Sequence, residues 1–160
     1  MLRTSVPRKI LKAQVSDGHL WEAQLVSVLI LIGRILFSVL ILSSAVGHLT
    51  KTNDMAAYAK HKGVPMAWAA VFGGGILLAL GGISVLLGIW ADLGSLLLVL
   101  FLIPTAVMMH PFWKEQGDGR MMEMIQFNKD LALGGAALMF MGLFAIAGDA
   151  VGLTLTGPLF

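Results

Sequence analysis

The chain alternates long apolar runs with short polar connections. Residues 25 to 46 (LVSVLILIGRILFSVLILSSAV) are apolar except for Arg34, residues 66 to 91 carry no charge, and residues 93 to 112 carry none either. A fourth apolar run begins near Met124 and extends through Leu131 to Gly148. About 20 residues suffice to cross about 30 Å of hydrocarbon at about 1.5 Å per helical residue. The runs do not alternate in polarity as barrel strands do, and lipid cannot satisfy open backbone groups, so each run predicts a helix. The expected fold is all-α: a four-helix transmembrane bundle with spans near residues 24–48, 66–90, 93–110 and 124–147 and both ends on one side.

The connections refine this picture. Only Trp90, Ala91 and Asp92 separate the second and third runs, which predicts a tight antiparallel hairpin. The first connection reads as a short interfacial helix over residues 51–63, capped by Thr52 or Asn53 and stopped by Gly63, with Pro65 opening the next span. The third, Pro111 to about Glu123, is polar and holds the turn signal Gly117-Asp118-Gly119. Residues 1–22 are expected to form a polar N-terminal arm, 23–148 the membrane domain and 149–160 a short C-terminal tail. Arg3, Arg8, Lys9 and Lys12 precede the first run as in a secretory leader, but the run is longer than a leader core and has an arginine at its centre, so it is read as a span. Small residues recur where helices need to approach: Ser43 and Gly47, Ala70 and Gly74, Gly81 with Gly82, and Gly134 with Gly135. Pro104, inside the third span, predicts a kink.

Composition narrows the function. Of 160 residues 58% are hydrophobic and 12% charged, with a mean hydropathy of +0.86, where water-soluble domains are about a quarter charged. The absence of cysteine removes thiolate metal sites, iron–sulfur clusters and disulfides, so no covalently attached or thiolate-bound cofactor is expected. A net charge of +2 with no dense basic run argues against nucleic acid as a partner. Arg3, Arg8, Lys9 and Lys12 on the side of the termini face Lys51, Lys60, Lys62, Lys114, Arg120 and Lys129 on the other, which does not decide orientation.

Arg34 is the costly residue, because an arginine at mid-span needs an internal partner or a wet cavity. Asp130, about six residues into the fourth span and entering from the Val46 side, is the expected partner, with a gap of about 9 Å left to side-chain reach and helix tilt. A structural ion pair, a binding or proton-linked role and simple snorkelling all fit this pattern. His48, His61 and His110 lie toward the same side, with Trp113 and Gln126 close by, and together with Asp130 they would ring one mouth of the bundle. Such a ring suits an ordinary membrane boundary, or a pocket for an amphipathic ligand of quinone type. No His-x-x-x-His or Glu-x-x-His pair marks a metal site, and none is expected. Catalytic residues are not legible.

The chain resembles the DoxX family, small four-helix membrane proteins of bacteria, from about Gly33 to about Leu143. The carriers are Gly33-Arg34-Ile-Leu-Phe-Ser, Ser44-Ala-Val-Gly-His48-Leu, Tyr58-Ala-Lys-His-Lys-Gly63-Val-Pro65, Gly81-Gly82 with Gly88, His110-Pro-Phe-Trp113, and Gln126-Phe-Asn-Lys129-Asp130-Leu-Ala-Leu-Gly134-Gly135. One departure stands out: where the family commonly carries a glutamate in the second span, this chain has Leu78. The resemblance implies a multi-pass protein of the bacterial plasma membrane, embedded in the lipid bilayer. It also implies association with a quinone-linked oxidoreductase complex, with quinone as a possible cofactor and a protein partner in that complex. A non-catalytic scaffold and a small-molecule or lipid carrier are the alternatives, and a regulator acting through the polar arm is a further one.

Overall fold

A computed structural model of the protein describes residues 8–160, with side chains from His19 onward. Residues 1–7 of the expected polar arm lie outside the described residues. Five α-helices follow one another: α1 (Arg8–Thr50), α2 (Thr52–His61), α3 (Ala67–Leu87), α4 (Ala91–Met109) and α5 (Gly117–Ala147). Short 3-10 turns sit at Phe112–Lys114 and Gly148–Val151. Four of the five helices, all but α2, are long and apolar enough to cross a membrane. They form the expected bundle, with the expected short helix between the first two spans.

The largest difference from expectation is the first helix. No proline interrupts the chain between Arg8 and Gly33, and the single glycine there, Gly18, does not stop the helix, so α1 continues without a break through most of the expected arm. Its 43 residues make it about 65 Å long, roughly twice a bilayer's hydrocarbon.

The helices run up, down, up and down, which places Ile41 and Leu42 of α1 beside Gly82 of α3, and Gly134 of α5 beside Ile103 of α4. The middle of the bundle is mainly apolar: Ile41, Leu78, Val85, Leu98, Leu102 and Ala137 pack there and are buried, with the hydroxyls of Ser38 and Ser95 buried among the same helices. Leu78 is therefore a core residue. The tightest crossing joins α3 to α4, where a Cβ on Gly81 would stand 2.8 Å from the carbonyl oxygen of Gly94 and 2.6 Å from Leu98. Only glycine allows these backbones to approach so closely. Gly74 and Gly134 likewise lie against Phe101 and Ile103, whereas Gly47 and Gly135 face open space.

The hairpin between α3 and α4 turns through Gly88 and Trp90, both left-handed at φ 66° and 43°. Trp90 accepts that strain because its neighbours fix it: Ser84 Oγ donates to its carbonyl at 3.1 Å, and its own N–H donates to Thr156 Oγ1 at 2.9 Å. Thr156 belongs to the tail, which folds back over this end of the bundle. The N–H groups of Leu155 and Thr156 donate to Leu87 and Gly88 carbonyls, and those of Leu159 and Phe160 donate to Asp92 Oδ2 at 2.8 and 2.9 Å. Asp92 is fully buried and its Oδ1 has no hydrogen-bond partner among the described residues.

Candidate functional site at the bundle mouth

Arg34 and Asp130, the expected ion pair, lie at opposite ends of the bundle. Arg34 is fully buried and, among the described residues, bonds only to backbone: Nε donates to the Val85 carbonyl, Nη2 to Leu86 and Nη1 to Leu153, each at 2.8 Å. Its guanidinium stands over the Phe144 ring at 5.7 Å. Asp130 is 14 residues back along α5 from Phe144, about 21 Å away. The expected pairing took α1 to end near Val46. The helix instead runs on to Thr50, about 24 Å beyond Arg34, which puts Arg34 level with the end of α3.

That end explains the arginine. A helix leaves its last four carbonyls without intrahelical partners and carries partial negative charge there. In α3 the Ser84 carbonyl accepts from Gly88 and Ile89, Val85 and Leu86 accept from Arg34, and Leu87 accepts from Leu155. All four are satisfied, two of them by Arg34.

The opposite end collects the polar side chains. Periodicity on α5 puts Glu123, Phe127 and Asp130 on one face, and Tyr58 and the adjacent Lys62 lie four residues apart at the end of α2. Glu123 is the hub: Tyr58 Oη donates to Oε1 at 2.8 Å, Lys62 Nζ to Oε1 at 2.7 Å, and His110 Nδ1 bonds Oε2 at 2.7 Å. Lys62 also reaches Glu115 at 3.0 Å. On the far side of the imidazole, His110 Nε2 lies 3.6 Å from Asp130 Oδ2, too long for a hydrogen bond. Lys129 Nζ is 3.5 Å from Asp130 Oδ1 and donates to Gln126 at 2.6 Å.

Charge states follow from these contacts. Burial pushes the Glu123 carboxyl up, but hydrogen bonds from Lys62, His110 and Tyr58 outweigh it and hold the group down at about 2. The hydrogen bond to Glu123 raises Lys62 well above its ordinary value against the opposing effect of burial. Burial, with the Glu123 hydrogen bond and charge, raises Tyr58. An ionised carboxylate only accepts, so Nδ1 of His110 carries the proton in the bond to Glu123. Nε2 makes no hydrogen bond among the described residues.

Of the expected mouth residues, the structure brings His110 and Asp130 together and places Gln126 next to them through Lys129. Trp113 is half exposed and packs edge-to-face on Phe112 and Phe127, with centroids 5.2 and 5.8 Å away. His48 stands apart, its Nδ1 against the Ser44 carbonyl at 2.9 Å and its ring edge-on to Phe101. His61 is exposed and makes no side-chain hydrogen bond among the described residues. Glu123, the hub, was missed. In the sequence it closes a polar connection, although its spacing of seven from Asp130 marks it as the same helix face.

A sequence model of the DoxX family matches residues 29–111, just over half of the chain. The chain belongs to the DoxX family. No match was found among curated proteins or among solved structures. Membership with four apolar spans makes this DoxX protein a multi-pass integral membrane protein in a lipid bilayer. The matched segment contains Arg34, Tyr58, Lys62 and His110, whereas Glu123 and Asp130 lie beyond it. The mouth of this DoxX protein thus joins residues inside the matched segment to residues outside it.

Proposed function

We propose that this protein is the membrane subunit of a quinone-linked redox assembly and that its His110 mouth receives the headgroup of the quinone. The observation that carries the reading is the placement of His110, with Nδ1 tied to Glu123, Nε2 facing Asp130 at 3.6 Å without a hydrogen bond, and the aromatic group Phe112, Trp113 and Phe127 in the connection and helix that follow it. Aromatic faces suit a flat apolar ring, and a few convergent polar groups orient it. A bound quinone supplies the electron-carrying chemistry. The chain's own part is to hold the headgroup and exchange a proton at Nε2, with Asp130 the next acceptor inward and Glu123 fixing the ring.

A second reading, a non-catalytic scaffold, draws on a different observation: both Glu123 oxygens are already engaged by the protein's own donors. Gentle solubilisation followed by native mass spectrometry and quinone analysis separates the two. The redox reading expects quinone retained by the wild type and lost from His110→Phe. A co-purifying protein partner with no quinone in either sample supports the scaffold instead.

A further inference from the structure

Away from the mouth cluster, an open groove of about 620 Å³ lies between α2 and the start of α3. Its volume falls within the roughly 300–1,000 Å³ of small-molecule sites. Ala57, Val64, Met66 and Ala69 give it apolar walls of modest bulk, and Trp68 forms one side. That indole is held in place: its Nε1 donates to Asn53 Oδ1 at 3.1 Å and its ring stacks on Phe72 at 5.1 Å and 14°. The lining includes one charge, Lys60.

Lys60 and Lys62 are two residues apart yet differ completely. Lys62 turns inward to two carboxylates, while Lys60 is exposed and has no ion-pair partner among the described residues. The acidic residue nearest in sequence, Asp54, lines a separate groove of about 360 Å³ across the Trp68 and Phe72 stack. The larger groove is therefore apolar along its length and positive at its lip. It also sits where the apolar run of α3 begins at Met66, the depth at which headgroups meet acyl chains and at which tryptophan collects.

We propose that this groove seats one anionic phospholipid, its phosphate on Lys60 and an acyl chain along Ala57, Val64 and Trp68. Charge complementarity selects an anionic over a zwitterionic headgroup, and the fixed indole keeps the groove open without cost on binding. Small alanine side chains on both helices leave a channel suited to a flexible chain.

The test uses the full chain in two forms. In nanodiscs of mixed phosphatidylglycerol and phosphatidylcholine, native mass spectrometry is expected to find one phosphatidylglycerol retained by the wild type and by Lys51→Gln, and released from Lys60→Gln. In the second form, Trp68 is the sole tryptophan after Trp21→Phe, Trp90→Phe and Trp113→Phe. Brominated phosphatidylglycerol is expected to quench its fluorescence several-fold more effectively than brominated phosphatidylcholine, a preference that Lys60→Gln abolishes. Retention unchanged by Lys60→Gln, or lost equally with Lys51→Gln, overturns the site in favour of general surface attraction. Retained quinone in place of phospholipid, or no quenching by either lipid because protein covers the groove, overturns it as well.

Discussion

Replacing Arg34 by methionine is expected to destabilise the protein in detergent by about 3 kcal/mol, because three carbonyls, that of Val85 buried and those of Leu86 and Leu153 part-buried, lose a charge-assisted donor worth about 1.5 kcal/mol or more each while methionine recovers only part of the packing. Arg34→Lys should fall between, since one ammonium cannot reach Val85, Leu86 and Leu153 with the geometry of the guanidinium fork. Asp130→Asn should leave this end of the bundle unchanged. Exchanging the two residues, Arg34→Asp with Asp130→Arg, should restore nothing, whereas a true ion pair would be rescued. Thermal unfolding followed by circular dichroism reads all four variants. Rescue by the exchange would contradict the backbone-capping role.

The second large effect belongs to Glu123. Its carboxyl is held at about 2, below an ordinary value of 4.5, by the largely enclosed Lys62 and His110 and by the more exposed Tyr58. A depressed folded-state value means that the stabilisation is present above about pH 4.5 and is lost as the pH falls toward 2, and its size is on the order of 3 kcal/mol. Lys62 is shifted upward, so its share is present below its ordinary value of 10.5 and fades only above it. Between these limits the stability difference between wild type and Glu123→Gln should be flat, and it should shrink on acidification toward pH 2 to 3. Melting temperatures of both proteins across this range check the prediction. A difference that persists undiminished at pH 2.5 would show that the carboxylate charge is not what binds the cluster.

The architecture was legible because bilayer thickness is a length requirement that apolar runs either meet or fail. The positions of α3, α4 and the short α2 follow directly from it, as do the close crossings at Gly74, Gly81, Gly82 and Gly134. The partner of Arg34 was not legible, because the backbone carbonyls at the end of a helix are offered by every sequence alike and leave no residue signature. Sequence reasoning searches for a carboxylate and finds Asp130. The tail was unreadable for the same reason: it is held through its own N–H groups and the buried oxygen of Asp92. At the mouth the sequence set His110 and Asp130 toward one end of the bundle, and the structure brings these two side chains within 3.6 Å of each other. Sequence reasoning grouped His48 and His61 with them only because position along a span specifies depth and leaves direction around the helix open. Glu123 carried a usable signal in its helical spacing from Asp130, obscured by the polar residues that precede it.

The measurement that bears most directly on the account is the binding of a soluble quinone analogue to the full protein in detergent, titrated against wild type, His110→Ala and His61→Ala. The account predicts that His61→Ala binds as the wild type does, since His61 stands outside the cluster, and that His110→Ala loses affinity by about tenfold or more, the scale of one good hydrogen bond. Equal affinity for wild type and His110→Ala, or no binding to either, would contradict it.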